Sequence, residues 1–275
     1  MALPFIDDIS GTIRGYRIFT ACRCVRGKIF RLEDHLDRLY NCAQAIYMQP
    51  PLPRDQLRAL LNELMEKNSH ISPGTDLVVK IIFSGGLEGS TMKQSGRGAH
   101  LYIAVQVLEP PEPAAYEKGV ALATFRHQRF WAEVKLLNYV AAVVASQTVV
   151  PARDAYDVLF VDPTDNQTIL EGSTFTAFFV TRDGTILTPP LDGKILDSIT
   201  RRALLDLAVE QPRFSIIERS VRMDELPSFT EAFIASTTRN VLPVVRIDDC
   251  VIGDGVPGPI TKALIKAFQN CLDTY

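Results

Sequence analysis

Lys135 lies in the run Trp131-Ala-Glu-Val-Lys-Leu-Leu-Asn-Tyr139, an amine among apolar neighbours where a strand pattern gives way to a helix. Stripping water from an ammonium is costly unless the group is paired or neutralised, so a lysine in apolar company calls for a reason. Pushed toward neutrality, its amine condenses with an aldehyde. The bland reading is a stem laid on the core with its head in water. What accompanies the lysine decides between the two.

Further along are the groups that a phosphorylated aromatic aldehyde would need beside an amine. Asp197-Ser-Ile-Thr-Arg201 begins a helix, with Asp197 or Ser198 as its N-cap, and the free N–H groups of a first turn suit a phosphate. Ser236-Thr-Thr238 ends a strand and offers hydroxyls and turning amides to the same anion. Glu171 closes the strand Ile169-Leu170 before Gly172, where a carboxylate can point inward while the backbone turns. A carboxylate facing a pyridine nitrogen keeps that nitrogen protonated and makes the ring an electron sink. Taken singly, these residues read as a helix cap, a strand exit and a solvated loop glutamate.

The chain of 275 residues is long enough for two lobes. Its net charge of -3 leaves no broad electrostatic footprint for nucleic acid or anionic lipid. No stretch approaches the roughly 18 apolar residues that span a bilayer, and the start lacks a basic region followed by an apolar run, so a cytoplasmic protein is expected. Five scattered cysteines fit reduced thiols. Cys22 and Cys24 share one strand face without a partner pair or histidine cluster, so they are read as packing and no metal site is expected.

Periodicity predicts a hairpin over 18–24 and 28–32, helices over 33–48 and 54–68, and buried strands over 76–83 and 100–108 joined by the glycine-rich segment 84–98. Glu109-Pro-Pro-Glu-Pro113 reads as an interdomain linker, because prolines remove donors and stiffen the chain. The expected domains are 1–108, a linker over 109–117, and 118–275 carrying Lys135. The second contains strands over 120–125, 155–161, 168–170, 176–180, 186–188, 231–236 and 241–247. Its helices fall over 138–149, 198–209 and 259–272.

In order and spacing, Lys135-Leu-Leu-Asn-Tyr139, Glu171-Gly-Ser-Thr with Phe178-Phe179, Leu187-Thr-Pro, Ile199-Thr-Arg201, and Thr237 with Pro243-Val244 resemble the class IV, fold-type IV pyridoxal-phosphate enzymes. Phe30-Arg-Leu-Glu-Asp-His35-Leu-Asp-Arg38-Leu and Ile252-Gly-Asp-Gly-Val-Pro-Gly-Pro-Ile260-Thr add to the likeness, which runs over 19–268. The family holds branched-chain aminotransferases, D-amino acid aminotransferases and aminodeoxychorismate lyase. The resemblance implies a two-domain α/β (α+β) fold with pyridoxal 5'-phosphate in the interdomain cleft, and a homodimer. It makes Lys135 the Schiff-base lysine, Glu171 the pyridine-nitrogen partner, and Arg38, Ile199, Thr200 and Thr237 phosphate ligands. Tyr139 matches a tyrosine near the cofactor's 3-hydroxyl, one residue closer to the lysine than in the family. Phe19, Arg23 and Thr238 fall at substrate positions.

The chain departs from the family's pattern near its start and in the substrate region. Thr20 stands where many aminotransferases have glutamate and aminodeoxychorismate lyases have threonine. An arginine that traps the substrate carboxylate in several relatives is missing near Ser84-Gly-Gly86, with Lys80, Arg97 or Arg23 open as substitutes. Phe175-Thr176 takes the place of a Ser-Asn pair. The expected activity is transamination between an amino acid, branched-chain-like or D-configured, and a 2-oxo acid. The rivals are pyruvate elimination from aminodeoxychorismate and a non-catalytic binding protein on the same fold.

Overall fold

The computed structural model describes residues 8–68, 74–86 and 98–275. Two compact units divide the chain: Met1–Glu109 with Val134–Asn138 and Tyr275, and Pro110–Glu133 with Tyr139–Thr274. The segment around Lys135 therefore packs within the first unit, not with the second domain in which its sequence position placed it. The cause is main-chain pairing with the first strand, described below.

In the first unit, α1 (Ile9–Arg14) precedes β1 (Arg17–Val25), which turns through Arg26-Gly27 into β2 (Lys28–Ile29). Then come α2 (Leu32–Ala45), α3 (Arg54–Lys67), β3 (Leu77–Ser84) and β4 (His100–Val107). The strands form one antiparallel sheet in the order β2-β1-β3-β4. Alternation puts Ile18, Cys22 and Cys24 of β1 on the same face as Leu77, Val79, Ile81 and Phe83 of β3, and this face packs on Leu36, Leu39 and Ala43 of α2 and Leu57, Leu61 and Met65 of α3. The α3 residues recur every four positions, one stripe of a helix. Both cysteines are thus core residues, and burial pushes the Cys22 thiol up to about 12 and the Cys24 thiol to about 11. β4 is only partly buried, contrary to its apolar run, because as an edge strand it has one neighbour.

α1 has no counterpart in the periodicity, because long-range contacts anchor it. Asp8, fully buried, accepts hydrogen bonds from Arg17 Nη2 (2.7 Å), Ser84 Oγ (2.6 Å) and the Gly86 N–H (3.0 Å). Burial works to raise its carboxyl pKa, but the bonds from Ser84, Arg17 and Gly86 outweigh burial and hold it below the usual value. A group whose folded pKa is depressed contributes stability above its unfolded pKa and loses it as pH falls through the folded one. Asp8→Asn should therefore destabilise the protein by roughly 1–3 kcal/mol near neutrality, and the gap between variant and wild type should close below about pH 4 in denaturant melts.

The second unit opens with α4 (Pro113–Lys118), so the expected linker is helical beyond Pro113. Proline at the first helical position loses no hydrogen bond, and Ala115 and Tyr116 reach the core. β5 (Val120–Arg126), α5 (Val140–Ala152), β6 (Asp157–Val161), β7 (Thr168–Gly172), β8 (Thr176–Val180) and β9 (Ile186–Thr188) follow. After them come α6 (Ile199–Glu210), β10 (Ile216–Glu218), β11 (Val221–Arg222), a 3-10 turn over Met223–Ser228, β12 (Glu231–Ser236), β13 (Asn240–Ile247), β14 (Cys250–Val251) and α7 (Pro259–Thr274). The sheet runs β10-β9-β8-β12-β13-β5-β6-β7-β11, with β14 beside β13. β5 pairs in parallel with both β13 and β6 at its centre, and β6 and β8 are buried throughout, as their unbroken apolar runs require.

Among the described residues no helix is long and apolar enough to cross a membrane, and no cluster of His, Cys, Asp or Glu is arranged to hold a metal.

Candidate active site

In the first unit the residues 134–138 add a short pairing to β1. The Phe19 N–H donates to the Lys135 carbonyl (3.1 Å) and the Leu137 N–H to the Arg17 carbonyl (3.0 Å), around an antiparallel bridge between Ile18 and Leu136. The Lys135 N–H meets Cys42 Sγ at 3.3 Å. Val134 and Leu136 pack into the core, so the side chain between them leaves by the opposite face. There its Nζ lies 4.8 Å from the centre of the Phe19 ring. The amine is fixed at its root by hydrogen bonds and lies over an aromatic face.

That sheet face carries two cross-strand rows, Phe19–Ile82–Tyr102 and Ala21–Lys80–Ala104. Lys80 is exposed between two alanines and makes no hydrogen bond or ion pair with another described residue. Arg23, on the same face, is held by Asp76 through its Nε at 2.6 Å. Arg97 lies outside the described residues, as does most of the glycine-rich segment.

Thr20 faces the other way, toward α2. Its hydroxyl accepts from Arg38 Nη2 (3.0 Å) and is hydrogen bonded to His35 Nδ1 (2.7 Å), all three residues being buried. The segment expected to bring an arginine to a phosphate thus delivers a guanidinium steadied by a threonine and a histidine.

The second unit gathers the remaining candidates. Glu171 is not a solvated loop residue: it is 6% exposed and lies within β7. Its Oε1 accepts from Arg129 Nε (2.7 Å) and its Oε2 from the Leu196 N–H (3.2 Å). Arg129 also donates to the Ala132 carbonyl, which fixes the plane of its guanidinium. Sequence reasoning missed Arg129, since nothing in its neighbourhood points to an acid 42 residues away.

Leu196 leads directly into α6, so the bond to Glu171 brings the start of that helix to the carboxylate. Ser198 is the N-cap, its hydroxyl accepting from the Arg201 N–H (3.4 Å), while Asp197 pairs with Arg202. Ile199 and Thr200 are buried in the first turn, where N–H groups have no intrahelical acceptor. Thr237 and Thr238 occupy the turn between β12 and β13, closed by the Ser236–Asn240 pair, with Asn240 at φ +54°. Tyr139 stands at the N-terminus of α5, its carbonyl accepting from the Val143 N–H at 2.8 Å.

Taken unit by unit, these groups are of the kinds that a phosphorylated pyridine aldehyde calls for. A carboxylate has about four acceptor positions, and Glu171 spends two on Arg129 and Leu196, leaving room for a pyridinium N–H. The buried guanidinium of Arg38, the first-turn amides of α6 and the threonine turn are of the kinds that hold a phosphate.

The fold is shared with solved members of one enzyme family. A hypothetical aminotransferase from Mycobacterium tuberculosis, in its PLP-bound form, superposes with a TM-score of 0.83 at 22% identity, over 100% of this chain and 94% of that one. A putative 4-amino-4-deoxychorismate lyase from Legionella pneumophila gives 0.83 at 20% identity, over 98% and 95%. In sequence, the D-alanine aminotransferase of Bacillus licheniformis is 30% identical over 268 residues, 94% of this chain and 90% of that protein. The model of the family described as amino-transferase class IV matches residues 17–247. The chain belongs to the class IV aminotransferases.

Proposed function

We propose that the protein is a pyridoxal 5'-phosphate-dependent transaminase that exchanges an amino group between an amino acid and a 2-oxo acid. The observation that carries this reading is the buried Glu171, held by Arg129 and tied through Leu196 to the start of α6. The cofactor supplies an aldehyde for an amine and a ring that takes up electron density when a substrate Cα–H bond breaks. Lys135 is the amine that condenses with it. Freed by the substrate's amino group, Lys135 Nζ would take the proton from the substrate Cα and deliver it to the carbon that was the cofactor's aldehyde, so that water can release the 2-oxo acid and leave the amino group behind. Glu171 accepts a hydrogen bond from the protonated ring nitrogen, and Arg129 keeps the carboxylate oriented. Arg38, the amides of Ile199 and Thr200, and Thr237 hold the phosphate. Tyr139 would serve the cofactor's hydroxyl, and Phe19 and Thr238 would border the substrate.

Lys80 takes the substrate carboxylate. It is exposed on the sheet face that carries Phe19 and Lys135, whereas Arg23 is committed to Asp76. Lys80→Met should raise the KM for amino acids about 5- to 10-fold with kcat little changed, the pattern of a lost ground-state contact, as read in steady-state kinetics.

The second reading is pyruvate elimination from aminodeoxychorismate, for which Thr20 speaks. The Thr20 hydroxyl is hydrogen bonded to Arg38 and His35. Incubation with 2-oxoglutarate and a panel of L- and D-amino acids, D-alanine and the branched-chain residues first, tests the choice. Amino transfer is expected, and its configuration preference names the substrate. Pyruvate from aminodeoxychorismate without amino transfer would establish the lyase.

The enzyme is a homodimer in this reading. α5 carries Val140, Val143 and Val144 exposed on one face at spacings of three and four, an apolar stripe suited to a second copy. Light scattering should give the mass of two chains, and a monomer would contradict it. Five free thiols support a cytoplasmic location.

A further inference from the structure

We infer that Arg239 is a positioning residue that locks the turn carrying Thr237 and Thr238 to the segment following Glu171, and thereby sets the span over which the second unit grips its cofactor. The inference rests on the proposed roles of Glu171 and Thr237 as cofactor contacts. Arg239 is the last residue of the turn, and its guanidinium spends each nitrogen on a different group. Nη1 donates to Thr174 Oγ1 (2.7 Å), Nη2 to Asp157 Oδ2 (2.8 Å) and Nε to Tyr156 Oη (3.2 Å). The guanidinium carbon stands 5.5 Å from the Tyr156 ring centre and 5.8 Å from that of Phe175.

The main chain of Arg239 is held as well: its N–H donates to Ser236 Oγ (3.3 Å) and its carbonyl accepts from Tyr116 Oη (2.8 Å). Asp157 in turn accepts from Ser173 Oγ at 2.7 and 2.9 Å and from the Val158 N–H at 2.7 Å. With side chains 17% and 11% exposed, Arg239 and Asp157 are not a solvated surface pair.

The other end of the lock is equally constrained. The Gly172 N–H bonds to the Phe175 carbonyl (2.8 Å), and a Cβ at Gly172 would stand 2.0 Å from the Phe175 ring, so any larger residue there would have to displace that ring. Ser173, Thr174 and Phe175, the residues just after Glu171, are the ones Arg239 and Asp157 hold. A ring-nitrogen partner and a phosphate-binding turn would engage two groups of the same small molecule, so the two contacts form together best when their separation is held steady, to within about 0.5 Å. Lysine cannot replace this arginine, since an ammonium is a point charge without a planar fork.

The test is cofactor release from the holoenzyme, followed as loss of visible absorption after dilution into cofactor-free buffer. Arg239→Met should release pyridoxal 5'-phosphate about 10- to 100-fold faster than wild type, and Arg239→Lys should not restore the wild-type rate. Thr174→Val, which removes one tie and keeps the pair with Asp157, should shift the rate in the same direction by a smaller factor. The double variant should release no faster than about the Arg239→Met protein, because both changes break one connection. Release at the wild-type rate from Arg239→Met, or effects of the two changes that simply multiply, would overturn the lock. If Arg239→Met does not fold, Thr174→Val decides alone: faster release supports the lock and an unchanged rate overturns it. A wild-type protein that takes up no cofactor overturns the functional reading itself, and the lock's role with it.

Discussion

Replacing Lys135 by alanine is expected to remove the protein's visible absorption and lower amino transfer by more than about 10⁴-fold, because in the proposed mechanism one amine is both the covalent attachment point and the base at the substrate Cα. The loss should fall on the chemistry and not on folding. The main-chain bonds that set residue 135, from Phe19 N–H to its carbonyl and from its own N–H to Cys42 Sγ, do not involve the side chain. Thermal unfolding of the apoprotein should stay near that of wild type while activity disappears. Wild-type activity in Lys135→Ala would eliminate the mechanism.

Glu171→Ala should keep the Schiff-base absorption and reduce kcat by about 10²- to 10³-fold, the scale for losing one preorganised electrostatic contact in a closed site. Two effects combine in that number. The ring nitrogen loses its acceptor, and Arg129 loses the carboxylate that its Nε meets at 2.7 Å. Glu171→Gln keeps the shape and one acceptor oxygen, for the Leu196 N–H, while removing the charge that both the ring nitrogen and Arg129 would meet. A glutamine variant as impaired as the alanine variant would assign the effect to charge; one close to wild type would make Glu171 a scaffold for α6 and contradict its role at the ring.

The sequence was most legible where one apolar period dominates. The predicted strands 176–180, 186–188 and 231–236 have the observed ends, and the helix predicted over 198–209 runs Ile199–Glu210. Illegible were the parts assembled by distant polar contacts. α1 depends on Asp8 meeting Ser84, 76 residues away, and the two-residue strand β11 exists by pairing with β7. The residues 134–138 carry no sign of the strand they lie beside, because two N–H groups and a bridge to β1 set their place.

Among the candidate site residues, types and spacing singled out Lys135, Glu171, Ile199, Thr200 and Thr237, but not what supports them. Arg129, His35 and Arg239 act through partners that adjacent sequence does not reveal. The choice among Lys80, Arg23 and Arg97 was equally closed to sequence. That Asp76 holds Arg23 is a long-range fact that adjacent sequence does not reveal.

The central claim is that the Lys135 amine is the point of covalent attachment for pyridoxal 5'-phosphate. Reduction of the cofactor-loaded protein with borohydride, followed by proteolysis and mass spectrometry of the peptides, tests it directly. A single phosphopyridoxyl adduct on the peptide containing Lys135 is the result this account predicts. An unmodified Lys135, or an adduct on another lysine, would contradict it.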